Sequence, residues 1–213
     1  MPPRPPGRTV LTIVFAKAPV AGAVKTRLFP ALGAQGAARL HMRLVRRALD
    51  IAVRARCGPV ELHHAPARPH AWLRALAVRH GVRLRAQRGG DVGRRMQHAF
   101  AQALHRHRGA VLIGSDCPEL RPRDLRRAAR GLADRDAVIA PAEDGGYPLI
   151  ALRRCSSQLF EGIAWGGGEV MAQTRGRLVR LGWRWRELRT VWDVDRPGDL
   201  DRLSACIARG VDS

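Results

Sequence analysis

Val10-Leu11-Thr12-Ile13-Val14-Phe15 runs directly into Ala16-Lys17-Ala18-Pro19-Val20-Ala21-Gly22-Ala23-Val24-Lys25-Thr26-Arg27-Leu28. A β-branched apolar run that ends in a loop with a proline, a glycine and three basic residues reads as the first strand of an α/β domain opening onto an anion site. Pro19 fixes its own φ and removes a donor, and Gly22 lets the backbone approach a ligand or take positive φ, so the loop is shaped and rigid. Lys25 supplies a compact charge and Arg27 a planar fork of donors, which suit different parts of a diphosphate. Of the 38 basic side chains in the sequence only two are lysines, Lys17 and Lys25, and both stand in this loop. A chain that otherwise uses arginine keeps lysine where a flexible ammonium is required.

Outward from this loop, strands and helices alternate. Ala37, Leu40, Leu44, Ala48, Ile51 and Ala52 recur at helical spacing, which predicts a long amphipathic helix over 33–56, stopped by Gly58-Pro59. Strands are expected at 60–64, 82–86, 110–114 and 136–140, with an edge-like strand at 183–188. Helices are expected at 71–80, from the glycine-rich turn Gln87–Met96 to about residue 107, at 122–132 and at 169–181. This alternation predicts a three-layer α/β/α domain over 9–213 with a mostly parallel sheet, behind a flexible Pro-rich tail at 1–8.

Acidic residues gather after the strands. Asp116 stands one step beyond the apolar strand at 110–114, where ligands collect in an open α/β sheet, and is the first candidate for a Mg²⁺ or Mn²⁺ ligand bridging to phosphate oxygens. The residue two further on is Pro118, so Asp116 is not part of an Asp-x-Asp pair. Asp193 and Asp195 fall on the same side of an extended segment, so one cleft could receive both. Asp195 is taken as the second metal contact, whereas Asp199 falls in the first turn of the last helix and serves its dipole. In Gln87–Met96 the turn either exposes amides to a nucleotide, with Gln87, Gly90 and Asp91 as contacts, or tightens a strand–helix connection. The adjacent His63 and His64 point to opposite faces of a strand and cannot share a metal, and His105 and His107 are likewise read as structural or surface residues.

The string Lys17-x-Pro19-x-x-Gly22-x-x-Lys25-Thr26-Arg27-Leu28 resembles the opening motif of the DUF2064 family, a branch of the nucleotide-diphospho-sugar transferase superfamily. That branch is similar to the phospholactate guanylyltransferases and, more distantly, to the molybdenum-cofactor guanylyltransferases. The resemblance runs from about Val10 to Leu203. It includes Gln87-x-Gly89-x-Asp91-x-Gly93, the turn Asp144-Gly145-Gly146-Tyr147, a tryptophan segment at Trp165, and Trp192-Asp193-Val194-Asp195-Arg196-Pro197-Gly198-Asp199-Leu200 near the C-terminus. It implies a Rossmann-like nucleotide-diphospho-sugar transferase fold. It also implies a nucleotidyl- or glycosyltransferase that binds an NTP or NDP-sugar and a small-molecule acceptor with a divalent metal. Lys25, Arg27 and Asp116 would carry the chemistry, and Lys17, Pro19, Gly22 and Thr26 would complete the phosphate loop. Asp144, Gly145, Gly146, Tyr147 and Trp165 would form the substrate pocket. The sequence departs from the family pattern at Pro148, Ala151 and Gly167, which keeps open a non-catalytic nucleotide-binding or regulatory protein of the same fold.

Composition limits the alternatives. The formal charge of +20 is spread over every predicted helix and loop, and one tyrosine and four phenylalanines make no aromatic platform for bases. No specific nucleic-acid partner is expected. Cys57, Cys117, Cys155 and Cys206 are dispersed and form no C-x-x-C pair, as expected of a reducing cytoplasm. The apolar run at 10–15 is too short for a membrane span. The nucleotide base, the acceptor and the oligomeric state are not legible.

Overall fold

The computed structural model describes residues 7–208. Its elements alternate along the chain: β1 (Gly7–Lys17), α1 (Phe29–Ala55), β2 (Val60–Ala65), α2 (Ala71–Arg79), β3 (Arg83–Ala86), α3 (Val92–Leu104) and β4 (His107–Ile113). There follow α4 (Pro122–Gly131), β5 (Ala137–Ala140), β6 (Leu149–Leu152), α5 (Val170–Arg180), β7 (Trp185–Glu187) and α6 (Asp199–Ala208). One seven-stranded sheet has the order β3-β2-β1-β4-β6-β5-β7. Only β6 runs antiparallel, against both β4 and β5. The chain winds outward from β1 to β3 and returns to β4 on the other side of β1, so the topological switch point lies between β1 and β4. In open α/β sheets that crevice, beyond the carboxyl ends of the strands, is where ligands bind.

β1 is apolar without alternation because helices cover both of its faces. Val10 and Val14 pack with Leu49, Leu73 and Leu125 of α1, α2 and α4. Leu11 and Ile13 pack on the other side with Phe100 of α3 and Leu178 of α5. A third cluster joins Leu40 and Leu44 of α1 to Trp192, Val194 and, on α6, Leu203. It seats the 192–195 segment beside the first half of α1. Arg202 of α6 secures this seat, its guanidinium 4.5 Å over the Trp192 ring and hydrogen-bonded at 2.7 Å to both carboxylate oxygens of Glu143.

Several boundaries differ from expectation. β1 begins at Gly7, inside the expected tail, whose residues 1–6 lie outside the described ones. α1 starts at Phe29, but Gly33 has non-helical angles (φ 64°, ψ 171°) and separates an opening turn from the helix expected at 33–56. α3 ends at Leu104, not at residue 107, and His107 begins β4. The reason is tertiary: His107 pairs with Gly7 at the start of β1, and Thr9 Oγ1 and His107 Nδ1 lie 3.1 Å apart. The His105-Arg106-His107-Arg108 run gives no apolar signal of a strand. The edge strand expected at 183–188 is shortened to β7 at the sheet edge. Pro148 and Ala151 belong to the sheet and not to a pocket. The Pro148 carbonyl accepts from the Gly114 N–H at 2.9 Å, and Ala151 is a fully buried core residue of β6. Neither residue lines the cleft described below.

Candidate functional site

At the switch point a cleft of about 650 Å³ is lined by Phe15, Lys17, Lys25, Thr26, Arg27, Gln87, Asp91 and Asp116, together with Asp195 and His41. Three segments converge at its acidic end: the loop after β1, the Gly114–Asp116 turn after β4, and the 192–195 strand-like segment, which contributes Asp195; the turn before α3 and His41 of α1 complete the lining. The three segments are stitched together by hydrogen bonds. The Val194 N–H donates to the Asp116 carbonyl at 2.9 Å, and Lys25 Nζ donates to the Val194 carbonyl at 2.5 Å. A larger groove of about 680 Å³ runs along the outer face of α1, but its carboxylate, Asp50, is paired with His80 and the phosphate loop does not reach it.

Lys25 belongs to the loop but is not one of its exposed side chains. Its side chain is 4 % exposed and its Nζ lies 3.0 Å from Asp116 Oδ1. Its backbone is left-handed (φ 52°, ψ 41°), a conformation uncommon for a residue with a side chain. The loop's own folding accounts for the turn: the Ala23 N–H donates to the Val20 carbonyl, and the Leu28 N–H to the Lys25 carbonyl. Gly22 has φ 89°, as the sequence suggested for a turn residue. Arg27 is exposed and paired with Asp195 Oδ2. Lys17 is exposed at the mouth of the cleft, and Pro19 and Gly22 shape the loop without lining the cleft.

His41, on α1, is a cleft residue that the sequence reading did not single out. It is 4 % exposed and its Nε2 donates to the Lys17 carbonyl at 3.0 Å. Burial holds its imidazole below the ordinary range, so it sits neutral at the end of β1. Arg95 was also missed; it lines the cleft and its Nε donates to the Gly89 carbonyl.

The glycine-rich turn before α3 is largely self-satisfied. The Gln87 side-chain amide donates to the His63 and Ala16 carbonyls, tying β2 to β1, and Asp91 caps α3 by accepting from the Arg94 N–H at 2.8 Å. Both residues still face the cleft, whereas Gly90 does not line it. His63 and His64 have separate partners, Glu61 and the Pro66 carbonyl.

The acids have distinct neighbours. Asp195, expected as the second metal contact, holds Arg27, and its backbone N–H donates to Asp199 Oδ2. Asp193 is the buried carboxylate beside Asp116. Burial, reinforced by the charges of Asp116 and Asp144, pushes it up to about 7, and Lys25 opposes that rise. Its Oδ1 is buried with no hydrogen-bond partner. Among the described residues, no three His, Cys, Asp or Glu side chains are gathered closely enough to enclose a metal ion by themselves.

The expected substrate-pocket residues form a neighbouring packed corner. Tyr147 and Trp165 meet edge to face with centroids 6.4 Å apart, and the Tyr147 hydroxyl is buried. Trp165 lies over Gly93 in the first turn of α3, where an added Cβ would come within 2.4 Å of the indole nitrogen. Gly145 (φ 84°) is pressed against Gly168, with 1.7 Å between its would-be Cβ and the Gly168 carbonyl oxygen. Asp144 accepts from the Gly146 N–H, closing the turn that faces Asp193.

A family profile described as "uncharacterized protein conserved in bacteria (DUF2064)" matches residues 48–167, more than half of the chain. The chain belongs to the DUF2064 family. No curated protein matches the sequence. Among solved structures, a protein of Desulfovibrio desulfuricans G20 provisionally described as a nucleotide-diphospho-sugar transferase superposes with a TM-score of 0.82 at 27% identity, covering 95% of this chain and 98% of that one. CMP:2-keto-3-deoxy-manno-octonic acid synthetase, solved with CTP, gives 0.62 at 13% identity over 95% and 99%. Glucosyl-3-phosphoglycerate synthase from Mycobacterium tuberculosis, solved with Mn²⁺, UDP and glucosyl-3-phosphoglycerate, gives 0.53 at 14% over 95% and 77%. The fold of this DUF2064 chain is therefore that of the nucleotide-diphospho-sugar transferases and nucleotidyltransferases. Among its described residues no helix is long and apolar enough to cross a membrane.

Proposed function

We propose that the protein is a nucleotide-dependent transferase that holds the diphosphate of an NTP or NDP-sugar at the β1/β4 switch point, against a small-molecule acceptor. The observation that carries this reading is the meeting, in one cleft, of the phosphate loop's Lys25 and Arg27 with the carboxylates Asp116 and Asp195. Fold neighbours that hold CTP or UDP support it.

A divalent ion fits the acids. Asp193 has a buried oxygen without a donor and a carboxyl that burial, reinforced by the charges of Asp116 and Asp144, makes harder to ionise, a deficit that a cation would relieve. Asp116 and Asp193 would hold Mg²⁺ or Mn²⁺, the latter being the ion bound in the M. tuberculosis synthase. With two carboxylates, phosphate oxygens and water must complete its shell. Such an ion would act as a Lewis acid on the phosphate charge.

The chain's own residues do the remaining work by position. Arg27 offers two parallel donors to phosphate oxygens, and Lys25 a mobile third. His41, neutral and fixed on the Lys17 carbonyl, sets where the loop leaves β1. In nucleotidyl transfer an acceptor oxygen attacks the α-phosphorus and pyrophosphate leaves; in glycosyl transfer the same groups stabilise a departing nucleoside diphosphate. Acceptor binding belongs to the Asp144–Tyr147 turn, which borders the acids. Calorimetric titration with the four NTPs and a panel of NDP-sugars, with and without Mg²⁺, tests the proposal. Metal-enhanced binding of at least one is expected, and no binding by any would overturn it.

A further inference from the structure

We propose that Lys25 is a tethered cation that occupies the carboxylate site of the unliganded protein and is exchanged for a divalent ion, an exchange that nucleotide favours. The identity of the incoming ligand rests on the transferase reading; the exchange itself does not.

The argument starts from charge. Asp116, Asp193 and Asp144 lie close enough for their charges to act on one another, and Asp193 is buried with an unsatisfied oxygen. A nearby positive charge stabilises the ionised form of such a cluster. Lys25 provides it, with its ammonium 3.0 Å from Asp116 Oδ1, anchored on the Val194 carbonyl and 4 % exposed. Lys25 holds this place from a left-handed backbone, with its side chain turned away from solvent. Arg27 repeats the arrangement two residues later by closing on Asp195. Lys25 and Arg27 are therefore both paired with acids from the opposite wall before any phosphate arrives, whereas the loop's third cation, Lys17, is exposed.

Two consequences follow from electrostatics. A divalent ion approaching Asp116 meets the Lys25 ammonium at about ion-pair distance and is repelled by it. A diphosphate approaching Lys25 must detach it from Asp116 and leave the acids without a counter-charge. Each ligand alone meets a penalty that the other removes, because the phosphates accept the ammonium while the metal accepts the carboxylates. Metal and nucleotide then bind with positive, reciprocal coupling.

The sequence makes the exchange directly readable. Lys17 and Lys25 are the chain's two lysines, and Lys17 is exposed, so it is an internal reference for amine labelling. The intact, nucleotide-free protein is treated with an amine-acetylating ester, and modification of each lysine is followed by mass spectrometry. In metal-free buffer Lys25 should react about tenfold or more slowly than Lys17, since it is buried and ion-paired. Excess Mn²⁺ should accelerate labelling of Lys25 several-fold and leave Lys17 unchanged. No acceleration at Lys25 overturns the proposal. As a second arm, Mn²⁺ binding is measured by electron paramagnetic resonance without nucleotide. Lys25→Met should bind Mn²⁺ about tenfold more tightly than the parent, within the usual range of coupling, and equal or weaker binding overturns the proposal. Acceleration at Lys25 in a protein that binds no nucleotide would keep the exchange and remove the transferase reading.

Discussion

Asp193→Asn should stabilise the metal-free protein at slightly alkaline pH, although it deletes an acid from the centre of the site. Asp193 is lifted from the ordinary 3.8 to about 7 by burial and by Asp116 and Asp144. A carboxyl whose folded value is raised binds its proton more tightly when folded, so folding is penalised increasingly as pH rises above the unfolded value, until the folded group ionises. At about 1.4 kcal/mol per pKa unit, the full penalty is about 4 kcal/mol, reached above pH 7. Between pH 5 and pH 8 the part still developing is roughly 2 to 3 kcal/mol, and over that interval stability falls as pH rises. Asparagine has no charge to bury and can donate to a neighbouring carboxylate. Urea unfolding of parent and variant at several pH values from 5 to 8, in the presence of a chelator, measures the difference. The variant should gain stability over the parent as pH rises, and its own pH profile should be flatter. A variant less stable than the parent at pH 8, or an unchanged pH slope, would refute the assignment of Asp193 as an electrostatically strained acid.

Arg27→Ala removes an exposed, bidentate-capable donor and should weaken nucleotide binding by about 1.5 to 3 kcal/mol while leaving unfolding free energy within about 0.5 kcal/mol; calorimetry and urea titration check the two halves. Gly93→Ala places a methyl against the Trp165 indole and should cost about 1 to 3 kcal/mol, read as a lower thermal midpoint with altered tryptophan fluorescence; an unchanged midpoint would contradict the packing. Glu61, held down at about 2 by His63 and Arg85 despite its burial, contributes stability that is present above its unfolded value of 4.5 and lost as pH falls toward 2. Acid unfolding of Glu61→Gln should therefore be shallower than that of the parent below pH 4.5, and an identical acid limb would contradict the pairing.

The fold was legible where hydrophobic period and punctuation agree. Val10–Phe15, the α1 stripe from Ala37 to Ala52, and Pro122 at the start of α4 all announce their elements locally. The start of β4 was hidden because His107 pairs with Gly7 across an irregular stretch of register, and His107 and Arg108 carry no strand signal. The phosphate loop was readable because its proline, glycine and lysines act locally. Its pairing was not, since Lys25 and Arg27 meet acids distant in the sequence, a choice made by tertiary structure alone. Asp193 and Asp195 share one side of an extended segment by period, so the sequence could place both near a cleft. Only the packing of Trp192 and Val194 against α1 decides that Asp193 is buried beside Asp116 while Asp195 faces Arg27. His41 was invisible for a similar reason: it lies on the buried face of a helix, and only the arrival of the Lys17 carbonyl gives it a role.

The account stands on which acids serve the metal-assisted nucleotide site. The most direct measurement is nucleotide affinity as a function of Mn²⁺ concentration for the parent, Asp116→Asn, Asp193→Asn and Asp195→Asn, using the tightest-binding nucleotide found for the parent. The expected result is a Mn²⁺-dependent rise in affinity that Asp116→Asn and Asp193→Asn each largely abolish. Asp195→Asn should keep the rise, because its carboxylate serves Arg27. A rise that survives in Asp193→Asn and vanishes in Asp195→Asn would contradict it.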